Sequence, residues 1–175
     1  MDLAKFVFAV LYNENYKDYL HKAIEEISSL FGEIDYLSSE FHFDFLERYY
    51  GKEMGTPLKK LYFSVKGLKD KEELVSVKLK TMEIEKKYAI NGKRTVNIDP
   101  GYVDESQLIL ASHKRRGARI YLSKGIYAEI ELLYVYGEFH PLYWTYRDYR
   151  YPEVRKIFQD IRKLFLKERK SSHNY

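Results

Sequence analysis

Apolar residues run almost without interruption from Leu3 to Leu11, the pattern of a central strand buried on both faces. The rhythm then changes to steps of three and four. Tyr16, Leu20, Ala23, Ile27 and Leu30 mark one face of an amphipathic helix that Gly32 ends after Phe31. From Ile34 to Leu46 the pattern alternates, so a second strand is predicted with Phe41, Phe43 and Phe45 toward a core and His42 and Asp44 on the other face. Glu47 to Gly55 reads as a tyrosine-containing turn or short helix, and Leu58 to Val65 as a third strand. A long helix is expected from about Asp70 to Ala89, with Leu74, Val77, Thr81, Ile84 and Tyr88 inward and Asn91-Gly92 as its stop.

The second half of the chain is different. Arg94 to Ile98, Gln107 to Ser112, Ala118 to Leu122 and Ile126 to Tyr136 are strand-like runs separated by Asp99-Pro100-Gly101, His113 to Gly117 and Lys124-Gly125, which predicts an antiparallel meander. Tyr143 to Tyr151 is aromatic and irregular. Pro152 then opens a final helix with Val154, Ile157, Ile161 and Leu164 inward, and residues 170–175 form a frayed tail. The expected fold is α+β, a ferredoxin-like β-α-β-β-α first half continued by an antiparallel β-meander and a C-terminal helix. With no repeat and no Gly-, Ser- or Pro-rich linker, residues 1–175 read as one domain.

Composition narrows the chemistry. The absence of cysteine removes thiolate metal sites, disulfides and thiol nucleophiles. The start of the chain lacks the basic flank and cleavage pattern of a signal peptide, and no apolar stretch nears the ~20 residues that cross a bilayer, so no membrane association and a cytoplasmic location are expected. Thirty basic against 26 acidic residues give a net charge of +4, compatible with an anionic ligand but too mild to demand nucleic acid. Abundant Lys and Glu with only two Gln resemble a thermophile's composition.

The well-specified motifs are absent: no Gly-rich loop ending in Lys-Ser/Thr, no GxGxxG after a strand, no nucleophile elbow, no HExxH. Weaker groupings remain. Lys78, Thr81 and Glu85 line one side of the second long helix. Asn97 and Asp99 flank a Pro-Gly turn and could hold a hydrated magnesium, although turn chemistry alone explains them. His113 to Gly117, with Arg119 beside it, is the densest basic segment and is suited to phosphates. Glu129 and Glu131 alternate onto one strand face, where they are candidates for acid-base or metal chemistry or for pairing with Arg119 or Lys124. Tyr143 to Tyr151 interleaves rings with cations and includes Trp144, a pattern that stacks bases or packs over a sheet.

Several of these words recur together. Tyr49-Tyr50, Glu53-Met54-Gly55, the Lys78, Thr81 and Glu85 set, Arg94 through Tyr102, Leu110-Ala111-Ser112 with Lys114, Arg119 to Leu122, Gly125 to Glu129, and Trp144-Thr145-Tyr146 with Asp148-Tyr149 resemble domain-of-unknown-function family 4416 over nearly the whole chain. This chain departs from the family pattern at Arg147, where a proline usually precedes the aspartate. Some members are labelled GTP-binding. The phosphate loop and base-reading Asn-Lys-x-Asp of standard GTPases are missing here, so a nucleotide site would be of another kind.

The resemblance weights the polar groupings and implies one site. Glu129, Asp99 and Glu85 are the expected acid-base or metal groups. Thr81, Asn97, Lys114, Arg119, Trp144 and Asp148 are the expected ligand contacts. The function expected is binding of a phosphate-bearing small ligand or nucleotide in a polar cleft, with metal-assisted phosphoryl or phosphodiester chemistry and magnesium as the corresponding reaction and ion. The alternatives are a non-enzymatic RNA-binding module and a protein-interaction or assembly module.

Overall fold

The computed structural model of the protein describes Met1–Ser172. In chain order these residues form β1 (Leu3–Asn13), α1 (Lys17–Phe31), β2 (Ile34–Leu37), α2 (Asp44–Met54), β3 (Leu58–Asp70), α3 (Leu74–Lys87), β4 (Val96–Val103), β5 (Gln107–Ser112), β6 (Ile120–Ser123), β7 (Ile126–Val135), β8 (Glu138–Pro141) and α4 (Pro152–Ser172). All eight strands belong to one antiparallel sheet in the order β2-β3-β1-β4-β5-β7-β6, with β8 also paired to β7.

The apolar run at the N-terminus becomes β1, which pairs with β3 on one side and β4 on the other. Its even-numbered residues Phe6, Phe8 and Val10 pack with Leu20, Ala23 and Ile27 of α1 and with Leu74, Val77 and Ile84 of α3. Its odd-numbered Val7 and Ala9 pack with Tyr62, Leu108, Leu132 and Val154, Phe158 and Ile161 of α4. The sheet is therefore a middle layer, and each buried side chain of Leu, Val or Phe size contributes about 1.5–3 kcal/mol. Leu30, expected inward, is half exposed because it lies off the face that Leu20, Ala23 and Ile27 share.

Four local expectations are corrected. Strand β2 stops at Leu37. Phe41 makes only an isolated bridge to Lys60, and the alternation of Phe41, Phe43 and Phe45 is used to stack rings with one another and with Tyr151 as the chain enters α2. The Asp99-Pro100-Gly101 segment is not a turn but the middle of β4. Strands β5 and β6 are not neighbours, because β7 lies between them; the meander is interrupted and residues 113–119 cross from one edge of β7 to the other. Helix α4 continues through Ser172, so residues 170–172 of the expected tail are helical, and 173–175 lie outside the described residues.

Gly101 explains why a Pro-Gly pair can stay inside a strand. A Cβ there would lie 2.0 Å from the carbonyl oxygen of Ile109 on β5, so only glycine allows this approach. Strand β4 meets β5 only from Gly101 to Val103; from Val96 to Pro100 that edge is unpaired by any strand. Pro100 has no N–H to leave unsatisfied there. The backbone of Ile98 on the same edge is served by α3 instead: its N–H donates to Glu85 at 2.7 Å and its carbonyl accepts from Lys78 Nζ at 3.3 Å.

Candidate functional site

One face of the sheet is apolar under α4 and polar beyond it. Along the five strands β3, β1, β4, β5 and β7, the side chains on this face begin as Tyr62, Val7, Ala9, Val103, Leu108 and Leu132 and give way to Lys60, Asn97, Asp99, Ser112 and Glu129. Helix α4 covers the first group. Above the second lies a cleft of about 500 Å³, larger than two further depressions of about 350 and 250 Å³ on the same molecule.

Helix α2 forms one wall with Phe45, Leu46, Tyr49 and Tyr50. The segment that crosses β7 supplies His113, Lys114, Arg115 and Arg116, and the stretch before α4 supplies Tyr146, Arg147 and Asp148. Lys78 enters from α3 through the gap between β4 and β5.

Eight Lys or Arg side chains line this cleft (Lys60, Lys78, Arg94, Lys114, Arg115, Arg116, Arg119, Arg147) against two carboxylates, Asp99 and Asp148. Three of the eight are held by acids. Lys60 Nζ donates to Asp148 Oδ2 at 2.7 Å, Arg94 grips both oxygens of Glu53 at 2.9 Å, and Arg119 Nε lies 3.6 Å from Glu129 Oε2. Eight less three leaves five cations without an acid partner within ion-pair distance among the described residues. Asp148 Oδ2 also accepts from Tyr62 Oη at 2.6 Å. Among the described residues Asp99 meets only the Asn97 amide, at 3.2 Å, so it keeps acceptor capacity toward the cleft.

Arg119 is a positioning residue. Its Nη1 donates to Ser112 Oγ and to the Lys114 carbonyl, both at 2.9 Å, and its Nη2 donates to Tyr146 Oη, which fixes the crossing segment over the sheet. Behind it, Glu131 accepts from the Tyr146 N–H at 2.6 Å. Burial, and next to it the charge of Glu129, push the Glu131 carboxyl up to about 9, so it is protonated at neutral pH. Burial likewise raises Glu85 despite the opposing pull of Lys78 and Arg94. At the rim, desolvation and then the charges of Lys78, Lys114 and Arg94 lower His113.

The expected site residues thus divide. Asn97, Asp99, Lys114, Arg119 and Asp148 line one cleft. Glu85 and Glu129 stand behind its wall, Glu85 on the Ile98 N–H and Glu129 on Arg119. Thr81 is fully buried and its hydroxyl donates to the Lys78 carbonyl, a bond within its own helix. Trp144 lies outside the lining, its indole N–H donating to the Ile130 carbonyl at 2.7 Å. Glu129, expected as an acid-base or metal group, is buried and pairs with Arg119, the alternative its strand face left open, and Glu131 is buried beside it. Lys78, grouped in the sequence with Thr81 and Glu85 but not among the expected contacts, lines the cleft, as do Tyr50 and Lys60, which the sequence did not single out as contacts. His42 sits on the surface against Glu47 at 2.8 Å and Asp44 at 3.6 Å, away from the cleft. Among the described residues, no three His, Asp or Glu side chains gather closely enough to hold a metal ion, and no helix is long and apolar enough to cross a membrane.

The family model of a domain of unknown function, DUF4416, matches residues 2–165. The chain belongs to the DUF4416 family. Neither a curated protein nor a solved structure matches it. In this DUF4416 chain the matched span takes in every strand, the whole cleft and most of α4, so the family covers the site as well as the scaffold. The Arg147 guanidinium lies 4.5 Å from the centre of the Phe45 ring, a cation–π contact that ties the segment before α4 to α2 across the cleft.

Proposed function

We propose that the cleft binds a phosphate-bearing small ligand or nucleotide. The observation that carries this is the charge imbalance: five cations without acid partners converge on a concave site with one unpaired carboxylate, while the acids nearby are engaged by the fold. Lys114, Arg115, Arg116 and Arg147 are exposed and Lys78 alone is buried, so water screens most of their mutual repulsion; what the array supplies is a positive field over the cleft that favours an anion. The rings of Tyr49, Tyr50 and Tyr146 offer a planar group something to pack against. Phosphoryl or phosphodiester chemistry would call on Asp99, the one expected acid that faces the cleft. A magnesium ion would take Asp99 together with the ligand's own phosphate oxygens, the usual manner in which that ion is held.

The RNA-binding reading draws on the exposed His113 to Gly117 segment. It loses part of its stacking platform, since Trp144 and Arg150 are tied to backbone carbonyls and Tyr149 is buried. As to architecture, the β4-β1-β3-β2 order with α1 and α3 on one face supports a ferredoxin-like unit in which α2 is an insertion between the second and third strands. A cytoplasmic setting goes with the reading on composition alone.

Native mass spectrometry with nucleotides, sugar phosphates and a short RNA, with and without magnesium, tests the proposal. One-to-one adducts with phosphate-bearing small molecules, weakened by Lys114→Ala with Arg116→Ala, are expected. Adducts with RNA alone would favour the rival, and a bare mass throughout would overturn the proposal.

A further inference from the structure

Three lysines are almost wholly buried: Lys5, Lys60 and Lys78 are 0%, 5% and 4% exposed. An ammonium group out of water is strongly unfavourable unless an opposite charge and hydrogen-bond acceptors surround it. Lys5 has both, donating to Asp35, Glu168 and the Val65 carbonyl. Lys60 has Asp148 at 2.7 Å and the faces of Tyr62 and Tyr149. Lys78 has neither an acid within 4.0 Å nor an aromatic face; among the described residues its Nζ has one acceptor, the Ile98 carbonyl at 3.3 Å. Two of its three donors are unused, and the group opens into the cleft.

The acid on its own helix, Glu85, attracts Lys78 through space but forms no ion pair with it. Glu85 accepts from the Ile98 N–H at 2.7 Å and lies 3.5 Å from Arg94, so its oxygens are already directed along the β4 edge. The bond to Ile98 does not require a charge either, since a neutral amide would cap that carbonyl equally well. A fixed cation at this point, walled in by Ile98 and the α3 turn, is explained by an anion that arrives from the cleft.

One residue along β4 stands Asp99, whose only partner among the described residues is the Asn97 amide. Where no cation bridges them, a lone carboxylate beside a phosphate site repels the phosphate unless it accepts hydrogen bonds from another part of the same molecule. Hydroxyl groups do this, as a ribose or sugar would.

We propose that Lys78 is the floor contact for the ligand's phosphate and that Asp99 accepts its hydroxyl groups, so the ligand is a phosphate ester of a polyhydroxylated compound, a sugar phosphate or nucleoside phosphate. This rests on the phosphate-binding reading of the cleft and adds the two residues that choose within that class.

The test uses the full chain with inorganic phosphate and a nucleoside monophosphate as probes. Lys78→Met keeps the length of the side chain and removes the charge. Without ligand, its melting temperature is expected to equal or exceed that of the natural chain, because a buried charge with no ion-pair partner among the described residues has gone; its affinity for both probes is expected to fall about tenfold or more. Asp99→Asn is expected to weaken the ester about tenfold while leaving inorganic phosphate at least as tightly bound, since only the ester carries hydroxyls. A Lys78→Met protein that melts several degrees lower yet binds the probes as before would overturn the Lys78 assignment and leave the cleft reading standing. Equal tightening of both probes by Asp99→Asn would overturn the hydroxyl role. No binding of either probe to the natural chain at millimolar concentration would sink the cleft reading itself, a result told apart from the others by that first titration. Should Lys78→Met not fold, the Lys78 side-chain carbon resonance of the natural chain decides: movement on adding phosphate supports the assignment, and a still Lys78 among moving neighbours refutes it.

Discussion

Arg119 Nε and Glu129 Oε2 stand 3.6 Å apart with side chains only 3% and 5% exposed, which makes this the pair that pins the basic crossing segment to β7. Removing one member leaves the other buried and uncompensated. Arg119→Ala should destabilise the fold by about 3 kcal/mol or more at pH 7. The loss should be smaller when Glu129→Gln removes the stranded charge as well. Urea unfolding of Arg119→Ala beside the Arg119→Ala, Glu129→Gln double variant checks this; an equal loss in both would mean that Arg119 contributes only its hydrogen bonds to Ser112, Lys114 and Tyr146.

Glu131 gives the fold a stability that depends on pH in the opposite sense from a salt-bridged acid. Its folded value, about 9, is above the ordinary 4.5, so the folded state retains a proton that the unfolded chain releases. Its contribution is least unfavourable below the unfolded value and worsens as pH rises between the two. Glu131→Gln retains an acceptor for the Tyr146 N–H and carries no charge at any pH. The variant should melt with the natural chain near pH 4.5 and above it at pH 8 to 9. Parallel melting curves across that range would contradict the protonated assignment.

Gly101 is required by the close approach of β5 rather than by an unusual φ. Gly101→Ala puts a methyl group 2.0 Å from the Ile109 carbonyl oxygen, a backbone atom that cannot step aside. The expected cost is at or above the ~3 kcal/mol upper end of ordinary overpacking. Because β4 meets β5 only over Gly101 to Val103, the gap that admits Lys78 should open further, and ligand affinity should fall along with stability. Thermal unfolding and a binding titration on the same sample measure both.

His113 should report on occupancy. Without ligand, desolvation and the surrounding cations hold its pKa below the usual histidine value. A bound phosphate stabilises the protonated ring, so its pKa rises on binding. Affinity is then greatest below the free value and declines as pH rises through the bound value. Histidine proton shifts followed by NMR across pH 5 to 8, with and without a nucleoside monophosphate, should separate by a measurable upward displacement. Superimposed curves would place the anion away from His113.

Much of the scaffold was legible because its signals are local. The unbroken apolar run of β1 and the three-four spacing of α1, α3 and α4 depend only on which faces are buried. The Asp99-Pro100-Gly101 segment misled, since Pro-Gly normally marks a turn; here an unpaired strand edge removes the need for a proline N–H, and a neighbouring carbonyl requires the glycine. That edge is a property of the sheet and leaves no trace in the segment. Half the site was legible for the same reason that charged loops are: Lys114 and Arg119 announce themselves. Glu129 and Glu131 were seen as a pair on one face, but whether water or a crossing loop covers that face depends on β7 lying between β5 and β6. Lys78 was visible as a helix-border lysine, and what singles it out, the lack of an acid partner, exists only in three dimensions.

The central claim is that the cleft between α2, the 113–119 crossing and the open half of the sheet is where this protein holds a phosphate-bearing ligand. Amide chemical-shift mapping by NMR during titration with a nucleoside monophosphate tests it most directly. Shifts concentrated at Lys78, Asp99, His113 to Arg116 and Tyr146 are the result expected. Shifts confined to the outer face of α4 around Lys156 and Lys163, or none at millimolar ligand, would contradict the account.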